Sequence, residues 1–281
     1  MPSFNTPDPI TARIDVVSGD VRVVAGERDT TTVAVAPADP SNPEDVKAAE
    51  LTRVELAGGD LLVKAPKLRS WLPRSTGGAL IVTVELPSSS RLRATSQLAD
   101  FHCSGELGDC EIKAALGHVT VEHGARTTLR TATGDIHLDR AIGHADITTG
   151  SGDVRAAELA DTAVIKNSNG DTWVGVAHGD LRVWAANGRI AVDVAHGSVD
   201  AKSAMGDLRV GDVARGSVAL RTKTGSIEVG IREGSAAWLD VSATAGRVHN
   251  ELTSTERPDP AAETVDVRAR TTVGDVVVRR P

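Results

Sequence analysis

Asp135, Asp153, Asp171 and Asp207 each follow a glycine at the same point of a recurring pattern, and a column of carboxylates is the raw material of a calcium ladder. Repeat calcium sites also need a second glycine-rich turn and paired oxygen donors, whereas Arg189 and Ser226 stand where the series would need aspartate. Carboxylates about 5 Å apart in water repel one another by only about 1 kcal/mol. The column therefore reads as solvated turn residues that stack without a cation. His178 and His196 occupy equivalent places in neighbouring repeats, with Arg215 next and no third ligand of the right kind, so they read as exposed corners. Cys103 and Cys110, the only thiols, have neither redox-pair nor metal-knuckle spacing and read as small buried hydrophobes. The sequence holds no His-Glu-x-x-His, no Gly-x-Ser-x-Gly and no phosphate loop ending in Gly-Lys. The expectation is a non-enzyme with no cofactor and no metal.

Two places offer binding chemistry instead. Trp173 falls on an outward position, and its column in neighbouring repeats holds His137, Arg155, Ala191 and Arg209. A tryptophan between arginines on a flat sheet is a docking spot for a partner. The second is the segment from Lys64 to Arg74, where Lys64, Lys67, Arg69 and Arg74 surround Trp71 with no acidic residue between them; it suits an anionic partner or a membrane surface.

The elements that must hold these residues are written in the glycines. They recur at 108, 117, 134, 143, 152, 170, 179, 188, 197, 206, 216, 225 and 234, a nine-residue step with single-residue slips. Nearly all are followed by apolar residues two and four places on, as in Gly179-Asp180-Leu181-Arg182-Val183, so one unit is a short strand plus a turn. A period of eighteen is superimposed, because one class of turn is preceded by Ala-His or Ala-Arg and the other by a small polar residue. Two strands per coil follow, and stacked coils give two parallel sheets about 10 Å apart. The predicted fold is an all-β, two-sheeted parallel β-solenoid with an N-terminal β-rich cap. A core this narrow takes aliphatics and few rings, which accounts for 4 Trp, 2 Phe and no Tyr in 281 residues. The repeats are expected over 89–281 with a loop insertion near 253–262. Residues 1–88 are expected to cap the first coil, with strands at 14–24, 31–36, 60–64 and 79–86 and a short helix starting after Asn42. The stretch 264–278 is expected to form the last coil.

Thirty-one basic against thirty-eight acidic residues leave a net charge of -7, which speaks against nucleic acid as a partner. No basic-then-apolar leader and no apolar run of 18 residues is present, so a cytoplasmic protein with no transmembrane segment is expected. The segments Val17-Ser18-Gly19-Asp20-Val21-Arg22-Val23, Val82-Thr83-Val84-Glu85-Leu86-Pro87 and Val164-Ile165-Lys166-Asn167-Ser168-Asn169-Gly170-Asp171-Thr172-Trp173 together resemble the bacterial β-strand-repeat family known as "putative adhesin", domain of unknown function 4097, in its actinobacterial form. The resemblance covers nearly the whole chain and implies a β-solenoid without assigned catalytic residues. The functional expectation is a non-enzymatic scaffold or binding module with an unidentified protein partner. An adhesin-like surface protein is the alternative, and a carbohydrate-active solenoid enzyme the weaker one.

Overall fold

The computed structural model describes residues 2–66, 78–252 and 263–281. The chain divides into two compact units, Met1–Ile142 and Gly143–Pro281, and in each the backbone winds as a parallel β-solenoid. The first unit holds β1 (Ser3–Asn5), β2 (Thr11–Gly26), β3 (Thr30–Pro37), α1 (Pro43–Leu51), β4 (Arg53–Ala57), β5 (Asp60–Lys64), β6 (Ala79–Pro87), β7 (Arg91–Leu107), β8 (Cys110–Leu116), β9 (Val119–Gly124), β10 (Thr127–Thr133) and β11 (Ile136–Ala141). Strands β2 and β7 each run a whole coil and lie parallel, from Thr11 beside Arg91 to Val24 beside Ser104. The two halves of β7 then pair with β8 and β9, which pair with β10 and β11.

On the other side of β2 lie β5 and β6, so the first coil in sequence is second in the stack. The outer edge is blunted by antiparallel pairing of β3 with β6, β1 with β3 and β4 with β5. The helix begins where Asn42 predicts, its side-chain oxygen accepting from the Glu44 N–H at 3.1 Å with Pro43 at the first helical position. Buried Asp45 fastens this helix to β6 by accepting from the Ala79 N–H at 2.9 Å. Phe101 is the one ring fully buried among the described residues.

The second unit holds β12 (Ala145–Ser151), β13 (Val154–Leu159), β14 (Ala163–Asn169), β15 (Thr172–Ala177), β16 (Leu181–Asn187), β17 (Ile190–Ala195), β18 (Val199–Met205), β19 (Leu208–Val213), β20 (Gly216–Thr224), β21 (Ile227–Ile231), β22 (Ala236–Ala245), β23 (Val248–Asn250), β24 (Thr264–Val273) and β25 (Val276–Arg279). Strands of one sheet stack in the order β12, β14, β16, β18, β20, β24, β22. Those of the other run β13, β15, β17, β19, β21, β25, β23. The eighteen-residue register is direct, as in Ile147, Ile165, Val183 and Ala201 on successive strands, each buried.

The expected last coil is corrected by this order. Strands β24 and β25 are inserted between β20/β21 and β22/β23, so the coil that ends the sequence is penultimate in space. The second sheet gives the reason: β25 sets Val276 and Val278 in the core, both fully buried, whereas β23 has Val248 and the polar Asn250 in the same rows and leaves both exposed. Burying the fuller aliphatic set removes more apolar area from water.

The corners are equally specific. Gly188 turns at φ 131°, and a Cβ there would lie 2.0 Å from the Gly170 carbonyl oxygen, a position only glycine fills. One level further along several strands the inward row turns polar. Asn167 donates to the Gly170 carbonyl at 3.0 Å, and the Thr222 and Thr271 hydroxyls donate to the carbonyls of Gly206 and Gly225, satisfying corner carbonyls inside the coil.

Candidate functional site

The turn aspartates have a structural occupation. Asp153 accepts from the Asp171 N–H at 2.9 Å, Asp171 from the Arg189 N–H at 2.8 Å and Asp207 from the Ser226 N–H at 2.8 Å, so each carboxylate ties its corner to the next coil. Among the described residues no three His, Cys, Asp or Glu side chains gather as a metal site would require. His178 and His196 stack at 5.1 Å between ring centroids on adjacent corners. Both cysteines are free and buried. Burial pushes the Cys110 thiol up to about 12 and, with Cys110 as a lesser cause, holds Cys103 well above the ordinary thiol range. Neither forms thiolate near neutral pH.

Trp173 and Arg155 are cross-strand neighbours on β15 and β13. Arg209 lies two strands from Trp173, beyond Ala191, and meets Glu228 at 3.7 Å, a carboxylate it shares with Arg279. The indole is half-buried: its N–H donates to Asp193 at 3.0 Å and its ring lies over Gly175, whose missing side chain leaves the space. His137, on β11 of the first unit, is hydrogen-bonded to Asp139 at 2.8 Å. Trp71, Arg69 and Arg74, with Lys67, lie outside the described residues.

A different row stands out on the first sheet of the second unit. Lys166, Trp184, Lys202, Arg221 and Arg270 are register partners in turn, one from each of β14, β16, β18, β20 and β24. All point outward, because the residues on either side of each point into the core. The Lys166 ammonium sits 5.4 Å from the centre of the Trp184 ring, a cation–π contact. Arg182 and Arg268 lie one outward level before the row and Lys223 one level after it; over those levels Asp200 is the sole carboxylate on the five strands.

Lys202 pairs with Asp200 at 3.1 Å, Arg268 with Asp266 at 2.8 Å and Arg270 with Asp240 at 2.9 Å. These pairs are solvent-exposed and so weak. Arg221 has no ion pair among the described residues. At the β22 end of the row a depression of about 400 Å³ opens among Arg221, Trp238, Asp240, Asp266, Arg268 and Arg270, with Trp238 70% exposed.

The family profile described as Toastrack DUF4097 matches residues 11–279. The chain belongs to the Toastrack DUF4097 family. No curated protein matches it. Among solved structures, it is similar to a "putative lipid binding protein" from Parabacteroides distasonis, at 11% identity and a TM-score of 0.42, covering 98% of this chain and 95% of that one. It is also similar to a "putative adhesin" from Parabacteroides merdae, at 11% identity and a TM-score of 0.40 over 98% and 94% of the two chains. A third likeness, to a "putative adhesin" from Bacteroides fragilis, has 10% identity and a TM-score of 0.34 over 99% and 95%. The basic row of this Toastrack chain is not revealed by the column through Trp173. Its signal is the same step applied to the other sheet: Lys166, Trp184 and Lys202 are eighteen residues apart and Arg221 nineteen further.

Proposed function

We propose that this Toastrack protein is a non-enzymatic binding module whose second unit holds an extended anionic partner on the outer face of β14, β16, β18, β20 and β24. One observation carries the reading: the strand register sets four cations and an indole in a single line across five neighbouring strands, on a chain whose net charge is -7. Exposed charges are screened over about 10 Å at 0.1 M salt, so carboxylates elsewhere do little to cancel a local field of this kind. The backbone beneath it is a hydrogen-bonded sheet, and binding to a preorganised surface costs little ordering entropy. An adhesin-like role would use the same face, and the proposal depends on no particular compartment.

The test is retention on a sulfonate-bearing matrix at pH 7 and low salt, where a net-acidic protein without a basic face passes straight through. Retention of the native protein, and its loss in the Lys202→Glu/Arg221→Glu double variant, is the expected outcome. Passage of the native protein, or equal retention of the variant, would refute the proposal.

A further inference from the structure

The row is a ruler as well as a patch. Its cations are carried by successive parallel strands, so Lys202, Arg221 and Arg270 recur at the strand spacing, about 4.8 Å. A linear polysaccharide of pyranose rings with one carboxylate per ring carries its charges at nearly that interval when it lies across the strands. We infer that the ligand of this face is such a polymer, a linear acidic polysaccharide of the polyuronate kind, running along the row with one sugar seated in the depression at Trp238. The inference rests on the binding role proposed above and names its ligand.

Three features favour a sugar polyanion over a bare one. Trp238 presents an uncovered indole in the depression that opens beside the row, two outward levels from it and next to Asp266, and an aromatic face packs well against the C–H face of a pyranose. Around it stand Asp240 and Asp266 together with Arg268 and Arg270. Carboxylates accept hydrogen bonds from ring hydroxyls, and the guanidinium fork suits a carboxylate; polyphosphate has no such hydroxyls along its chain to offer the two aspartates. Finally, Arg221, with no ion pair among the described residues, belongs to the row and also lines the depression. It can engage a ligand carboxylate without first giving up a partner.

Titration calorimetry at low salt with polygalacturonate, its methyl ester and long-chain polyphosphate tests this. Polygalacturonate should bind and its uncharged ester should bind at least about tenfold more weakly. Arg221→Glu should weaken polygalacturonate binding by about tenfold or more. Trp238→Ala should weaken it by about tenfold while moving polyphosphate by less than about twofold, and Trp238→Phe should restore most of the loss. If polyphosphate binds as well as polygalacturonate and Trp238→Ala affects neither, the saccharide inference falls and the anionic-face proposal stands. If neither polymer binds, and the sulfonate matrix does not retain the protein, both fall.

Discussion

Single residues in this fold divide sharply into those the backbone demands and those the surface merely carries. Gly188 and Gly234 both have positive φ, but a Cβ at Gly188 meets the Gly170 carbonyl whereas at Gly234 it meets nothing within 4 Å. Gly188→Ala should therefore cost about 3 kcal/mol or more, and Gly234→Ala only about 1 kcal/mol, measured by denaturant melts of the two variants. Equal costs would mean that the coils do not stack with the register described. The glycines, the inward aliphatics and the buried cysteines are legible in the sequence because each obeys a strict step and a strict alternation. The roles of the tryptophans are not, since periodicity gives a residue's side of the sheet and says nothing of what its ring covers. Trp173 faces outward as its position requires, yet Gly175 and Asp193 occupy it. Trp184 and Trp238 face outward where cations gather.

Elements follow the sequence in type and extent more closely than in spatial order. The strand bounds, the helix cap at Asn42 and the two-strand coil are all local consequences of residue pattern. The placement of β24 is not local, because a parallel strand can join either side of its neighbour and the winner is decided by which apolar set gains more by burial. In the outcome, β24 has β20 on one side and β22 on the other, while β22 pairs with β24 alone among the described residues. Backbone amides of a strand paired on both sides open with the core, and those of an edge strand open locally. Native-state hydrogen exchange should thus find Thr264–Val273 better protected than Ala236–Ala245, although the former lies nearer the chain end. The reverse order of protection would show that the sequence-last coil is also last in space. Arg270 joins the basic row only through this insertion, which is why its place, unlike that of Lys166, Trp184, Lys202 and Arg221, cannot be read from an eighteen-residue step.

For the molecule as a whole, net charge misdescribes the surface. A total of -7 speaks against anionic partners if charge is spread evenly, but a solenoid sorts side chains into rows, and rows can collect one sign. Seven cations and one carboxylate fall within three outward levels of five strands. The binding role requires that an anionic partner sit on that face. Lysine methylation read by mass spectrometry, with and without a soluble polysulfonate, examines this directly. Lys166, Lys202 and Lys223 should lose reactivity when the polymer is present, while Lys47 and Lys113 in the first unit keep theirs. Unchanged labelling of the first three, or protection of all five alike, would contradict it.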